Sequence, residues 1–388
     1  MKLIRKMPRR IFSFLNPINR HIKKDPEQIF LYSNLGFRDN IKALFDHMIE
    51  QNYNNDYKIV VSVNDYLKYD NISEKNVTFT DCKKGLFEFF RSKYCFYCFG
   101  KYPVKPAPGQ IVFNLWHGMP LKRIGNLVRG CEKTDYNYFT HLLCTSEFFR
   151  ETMKKAFSCT DDAIVICGQP RTDIMMTDMQ PGKEREMKSQ IFGFDGRKYR
   201  ILLWLPTFRE NDESELDILS DEQFERLDEL CAQKSWKLII KPHPLSKIST
   251  DNLSRYSSIR VITTEQLTAR DIDFYKLIKF SDALITDYSS VYFDYMMLDK
   301  PIGFVVSDME RYDEERGFIF ENPQELMPGS IIRNGSEFMD FAEEIMNGAD
   351  KFRDKRHMLN DKFNTYQDNR NCERVLQTVG IKRLGKYY

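Results

Sequence analysis

Long apolar runs are missing from this 388-residue sequence. None approaches the roughly 18–20 residues that a membrane-spanning helix needs. There is no G-x-G-x-x-G and no G-x-x-x-x-G-K-[ST], which excludes a dinucleotide-binding dehydrogenase and a P-loop nucleotidase. Charge of one sign is also missing overall: the net charge is only +2, so no nucleic acid partner is indicated. Locally it is different. Residues 1–24 contain no acid but carry Lys2, Arg5, Lys6, Arg9, Arg10, Arg20, Lys23 and Lys24, interspersed with Leu3, Ile4, Ile11, Phe12, Phe14, Leu15 and Ile18. A secretory signal is excluded because Ser13, Asn16 and Pro17 interrupt the apolar core of about 7–15 residues it requires. Two readings remain open: a solvated basic tail, or a basic, aromatic-bearing anchor for an anionic membrane surface. Neither requires export. The nine cysteines are odd in number and scattered through strand-like runs such as "HLLCTS" and "AIVICG", the usage of a reducing compartment. Cys95 and Cys98 form a CxxC with no second pair to complete a metal site. Buried thiols are expected there, and neither a metal nor another cofactor.

What is present is a rhythm. From about residue 27, apolar strands alternate with amphipathic helices: "QIFLYSN", "DNIKALFDHMIEQN", "YKIVVSV", "NVTFTD", "KKGLFEFFRSK", "YCFYCFG", "QIVFNLWHG", "HLLCTS", "SEFFRETMKKAF", "AIVICG". Such alternation predicts an α/β fold with a parallel sheet covered on both faces. The rhythm stops over "MQPGKEREMKSQIFGFDGRKYR", read as a linker, and resumes with "RILLWLPT", "DEQFERLDELCAQKS", "WKLIIKPHP", "IRVITT", "DIDFYKLIKFS", "DALITDYS", "SVYFDYMML" and "PIGFVVSD". The acidic stretch "ENDESELD" reads as a solvated connection. The expected organisation is a basic arm over 1–26, one doubly wound domain over 27–190, a second over 191–370, and a helix and tail over 371–388, with the two domains facing a central cleft.

Ligands of such sheets bind beyond the carboxyl ends of the strands, so chemistry is sought there. Of six histidines, His117 and His243 end strands in equivalent settings in the two halves. Thr207 and Arg209 follow one strand, and Arg171 and Asp173 follow another. In "LITDYSSVYFDYMM" a strand ends at Thr286-Asp287, and Ser289-Ser290 open a helix whose N–H groups suit a phosphate. Imidazoles, guanidinium groups and hydroxyls together suit phosphate transfer, with a histidine taking the proton of an attacking hydroxyl. His117 would be that base, and Lys122 and Arg123 would attract an anionic substrate.

The same residues carry a resemblance. "WHGMPLKRIG", "SEFF" with "GQPRTD", "LPTFR", "KPHP", "ITDYSSVYFDYMMLDKPIGF" and "RYDEERGF", the last holding Arg316, occur in this order. Over about residues 110–375 the chain resembles the CDP-glycerol glycerophosphotransferases, which include wall teichoic acid primases and polymerases, ribitol-phosphate relatives and capsule enzymes. The resemblance implies a GT-B fold and a CDP-alditol donor. It implies a polyprenyl-linked glycan or polymer acceptor, and a cytoplasmic enzyme held peripherally on the inner face of the cell membrane. It also implies in-line attack by an acceptor hydroxyl on the donor's β-phosphorus. His117 falls on the family's base, His243, Arg209, Ser289 and Ser290 on phosphate-binding positions, and Asp287 in the TDYSS signature; Thr207, Arg171, Lys122, Arg123 and Arg316 are expected to bind substrate with them. Two positions depart from the pattern: Met119 replaces the usual Thr, and "DNRNCERV" lacks the family's late Gly. The length favours a primase or capsule-type transferase. The competing readings are a GT-B nucleotide-sugar glycosyltransferase, a ribitol-phosphate transferase of the same family, and a silent membrane-surface scaffold.

Overall fold

The computed structural model describes residues 14–193, 199–207, 216–243, 251–270 and 272–383. The chain forms two compact units. The first runs to His117, resumes over Gly125–Asp173 and takes the chain back from Thr365; the second holds Gly118–Ile124 and Ile174–Asn364.

The first unit is built on seven strands: β1 (Asp25–Ser33), β2 (Lys58–Val63), β3 (Val77–Thr80), β4 (Ser92–Phe99), β5 (Ile111–Asn114), β6 (His141–Cys144) and β7 (Ile164–Ile166). Their order is β3-β2-β1-β4-β5-β6-β7, and every pairing is parallel. The apolar runs of β1, β2 and β4 are buried almost end to end, as a sheet covered on both faces demands. The order reverses between β1 and β4, the switch point where ligands of open sheets bind. Cys95 and Cys98 are buried, free thiols in β4.

Two expectations about the edges of this unit need correction. The second half of the basic arm is built into the fold: Leu15–His21 is a helix. On it, fully buried Asn19 donates to Lys105 O at 3.0 Å and to Gln110 Oε1 at 2.9 Å. Residues 1–13 of the arm lie outside the described residues. At the other end, residues from Thr365 onward return to this unit, so the expected boundary at 370 is displaced. Thr365 N donates to Thr145 O at 3.0 Å. The helix Asn371–Thr378 is anchored by Asp173, which accepts from Asn371 N at 2.9 Å and Cys372 N at 2.8 Å.

The second unit holds β8 (Arg200–Trp204), β9 (Trp236–Ile240), β10 (Ile259–Val261), β11 (Ala283–Thr286), β12 (Ile302–Val305) and β13 (Ser330–Ile332). They are all parallel, in the order β10-β9-β8-β11-β12-β13. Numbered within the unit this is 3-2-1-4-5-6, the doubly wound mononucleotide-binding order, with its switch point between β8 and β11. Trp204, Trp236 and Phe338 lie in the core beneath the sheet. The expected linker is instead largely a helix, Pro181–Phe192, belonging to this unit. Proline opens it, Gly193 closes it at φ +68°, and Ile191 and Phe192 are buried. The boundary therefore falls at 173/174 rather than 190/191. Most of the acidic stretch lies outside the described residues.

Candidate active site

In the first unit the chain leaves β5 through a strained turn. Trp116 has φ +51°, a left-handed conformation rare outside glycine. Polar contacts hold it there. Asn114 Oδ1 accepts from Trp116 N at 3.0 Å, and Asn40 Nδ2, from the helix Asp39–Glu50, donates to Trp116 O at 2.9 Å. Asn40 Oδ1 in turn accepts from Arg171 N at 3.1 Å. The His117 ring stacks on Phe99 at 4.8 Å, and its Nδ1 lies 3.2 Å from Cys98 O. A carbonyl can only accept, so Nδ1 carries the proton and Nε2 becomes the basic nitrogen. That is the tautomer a general base needs.

Arg171 was expected to touch substrate. It is instead 3% exposed, and its Nη1 donates to Asp39 Oδ2 at 2.7 Å and to His117 O at 3.0 Å. It clamps the backbone of His117. The rest of "GQPRTD" is equally structural. A Cβ at Gly168 would lie 2.1 Å from Asn371 Oδ1, and Thr172 Oγ1 accepts from Asn371 Nδ2 at 3.0 Å.

In the second unit the site forms at the switch point. Thr207, just past β8, donates its N–H to Asp287 Oδ2 at 2.9 Å and its hydroxyl to Asp287 Oδ1, closing the ends of β8 and β11 together. A cavity of about 400 Å³ opens beyond the strand ends, lined among others by Pro206, Asp287, Ser307, Asp308, Arg311 and Arg333. His243, after β9, is half-buried. Burial holds its pKa below the usual imidazole value, Lys241 and Lys122 push the same way, and Asp287 opposes them. Burial and the two cations thus favour the neutral imidazole over the protonated one. Ser289 and Ser290 are half-buried ahead of a helix of only five residues, Val291–Tyr295. Ser290 makes no side-chain cap bond, and Ser289 Oγ accepts from Val291 N at 3.4 Å. The hydroxyls, more than a long helix dipole, are what this turn offers.

Lys122 and Arg123 were expected in the first domain but are held by the second unit. Lys122 forms an antiparallel bridge with Phe318. Arg123 N donates to Gly317 O at 2.9 Å, and its Nε to Phe318 O at 3.2 Å. Arg316 is exposed and is not among the cavity residues. Arg311, from the same motif, takes that place. Arg311 and Arg333 were not singled out in the sequence; Arg333 directly follows β13, and Arg311 lies in the helix Met309–Glu315 that follows β12. Arg209 lies outside the described residues. Among the described residues, no group of three or more His, Cys, Asp or Glu side chains is placed to hold a metal ion.

A family model described as "CDP-Glycerol:Poly(glycerophosphate) glycerophosphotransferase" matches residues 14–380. The teichoic acid ribitol-phosphate polymerase TarK of Staphylococcus aureus is 25% identical over 383 residues, covering 92% of this chain and 69% of that protein. The teichoic acid glycerol-phosphate primase of Bacillus subtilis is 26% identical over 281 residues, covering 69% and 67%. For the S. aureus ribitol-phosphate polymerase TarL the share of that protein falls to 63%, so the chain spans about two thirds of the length of these relatives. Among solved structures, the wall teichoic acid polymerase TagF superposes with a TM-score of 0.76 at 19% identity, covering 92% of this chain and 89% of that one, a likeness of fold. With its model matched over nearly the whole length, the chain belongs to the CDP-glycerol:poly(glycerophosphate) glycerophosphotransferase family.

Proposed function

We propose that this enzyme transfers an alditol phosphate, glycerol phosphate in the first instance, from a CDP-alditol to a hydroxyl of a lipid-linked or glycan acceptor, releasing CMP, in the synthesis of a teichoic acid or capsule polymer. The observation that carries the reading is the second unit's strand-end site. A cavity with Arg311 and Arg333 and a histidine whose protonation is opposed by burial, Lys241 and Lys122 suit a diphosphate whose charge must be met by donors. In this reading the two units take the GT-B arrangement of the family. The second binds the donor, with Ser289 and Ser290 toward its phosphates; the first presents the acceptor to His117. The acceptor oxygen forms a bond to the β-phosphorus, its proton passes to Nε2 of His117, and the bond from that phosphorus to CMP breaks. Donors near the transferred phosphoryl group stabilise the charge growing on its oxygens.

Peripheral attachment to an anionic membrane surface is part of the same reading. No helix among the described residues is long and apolar enough to cross a membrane. Phe14 and Ile18 are 60% and 44% exposed beside Arg20 and Lys23, in keeping with a surface anchor.

A donor labelled at the β-phosphorus tests the chemistry. The label should appear in the acceptor product with an equal amount of unlabelled CMP. Label left in a nucleoside diphosphate would instead establish a glycosyl transfer. A parallel panel of CDP-glycerol and CDP-ribitol decides the alditol.

A further inference from the structure

Resting on the acceptor reading above, we propose that Asn34 is an acceptor-binding residue. Its side-chain amide holds one hydroxyl of the acceptor while the adjacent hydroxyl gives its proton to His117. The acceptor so recognised ends in a vicinal diol.

Asn34 directly follows β1, and Gly100 directly follows β4. These strands are neighbours at the switch point of the first unit, where open sheets bind their ligands. β4 lies between β1 and β5, so the segment that ends it meets Asn34 on one flank and His117 on the other. Asn34 N donates to Phe99 O at 3.2 Å. The Phe99 ring stacks on that of His117 with centroids 4.8 Å apart, and Cys98, just before it, supplies the carbonyl that meets His117 Nδ1. One residue, Phe99, therefore stands between Asn34 and the imidazole, all within the first unit.

The Asn34 side chain lies across Gly100. A Cβ on Gly100 would come within 2.4 Å of Asn34 Cγ and Nδ2, so a larger residue there would push the amide aside. The fold makes no use of that amide. An asparagine kept for a turn or a cap bonds to nearby backbone. The Asn34 side chain is exposed and makes no hydrogen bond with a described residue. An amide presents a donor and an acceptor together, and so does a hydroxyl; the two are complementary without any charge.

The loop that carries Asn34 is fixed. Leu35 N donates to Ser33 Oγ at 3.4 Å, and Leu35 O accepts from the Arg38 guanidinium. Phe37 N donates to Asp65 Oδ1 at 3.0 Å. Leu35 is 43% exposed, an apolar surface beside the amide for the C–H face of a polyol. Binding to a loop already held in place costs little ordering entropy.

The test compares the full-length wild type with Asn34→Ala and Asn34→Gln, using CDP-glycerol and two short-chain lipid acceptors. One acceptor ends in glycerol phosphate. The other is its deoxy analogue, lacking only the middle hydroxyl. Turnover is read by CMP release, donor affinity by calorimetry, and folding by thermal melting. A single hydrogen bond corresponds to roughly 3–10-fold, and the wild type should prefer the diol acceptor by that factor in kcat/KM. Asn34→Ala should abolish the preference by losing activity on the diol acceptor alone. Its donor Kd and melting temperature should match the wild type, because the amide holds nothing within the protein. Asn34→Gln, with its amide one methylene out of place, should recover part of the preference. A preference that survives in Asn34→Ala, an equal loss on both acceptors, or a wild type indifferent to the middle hydroxyl would each overturn the assignment. So would an alanine variant that no longer folds, since the amide would then be structural. A wild type that releases no CMP from any CDP-alditol would be seen before any variant is made, and would overturn the functional reading itself.

Discussion

Asp287 receives both polar hydrogens that Thr207 can offer, its N–H at 2.9 Å on Oδ2 and its hydroxyl on Oδ1. The carboxylate is 3% exposed, so these bonds are made out of water, where leaving a partner unmet is costly. The TDYSS aspartate thus joins two strand ends across the switch point.

Asp287→Asn should cost about 1–3 kcal/mol, because one amide face presents N–H groups to a donor. Thr207→Val, which removes only the hydroxyl, should cost about 0.5–1.5 kcal/mol. Chemical denaturation measures both. Donor affinity by calorimetry should fall in the same order, since Asp287 lines the cavity.

Arg171→Ala should act on stability and on turnover, not on donor affinity. It leaves Asp39 without its 2.7 Å ion pair, and breaking a buried pair costs about 3–5 kcal/mol. Denaturation of Arg171→Ala and Asp39→Asn checks this. An Arg171 that bound donor directly would show instead as a weaker CDP-glycerol Kd with normal stability.

His117→Ala and His243→Ala should each reduce turnover on the order of 10²–10⁴-fold while melting close to the wild type. Lys122 is one of the two cations that depress the His243 pKa. Lys122→Met should therefore raise that pKa, so that protonation begins at higher pH. An NMR titration of the His243 imidazole reads the shift without depending on turnover.

Asp173 supplies a pH signature of its own. Burial lifts its carboxyl from 3.8 to about 6, against the pull of the Asn371 and Cys372 N–H groups. The folded state then holds the proton more tightly than the unfolded chain. The stabilisation is complete below about 3.8 and is lost as pH rises through about 6. The wild type should lose melting temperature relative to Asp173→Asn between pH 4 and pH 7, and scanning calorimetry across that window checks the sign.

The strands were legible because fully buried parallel strands read as unbroken apolar runs, as in "YKIVVSV" and "DALITDYS". β13, Ser330–Ile332, was not read as a strand. The helix Pro181–Phe192 was taken for a linker because its sequence is polar nearly all round. Its ends, Pro181 and Gly193, were the available signal. His117, His243, Thr207 and Asp287 were singled out as residues just past strand ends, and that is where they lie. Arg171 was misread because an arginine after a strand looks the same whether it faces a ligand or a buried aspartate. Arg311 was passed over for Arg316 within one motif, a choice set by the turn of a helix, Met309–Glu315, that ends just before Arg316.

The interleaved chain path has a consequence for synthesis. The first unit is left at Asp173 and completed only from Thr365, with the helix Asn371–Thr378 docking on Asp173. Between those points the ribosome must make the main body of the second unit, Ile174–Asn364. At 5–20 residues per second this takes roughly 10–40 s. Throughout that interval the carboxylate of Asp173 and the backbone around Gly168 wait without the segment that covers them. The unit begun first is therefore the one finished last, and a ribosome stalled beyond Asn364 would release a chain with its second unit whole and its first still open.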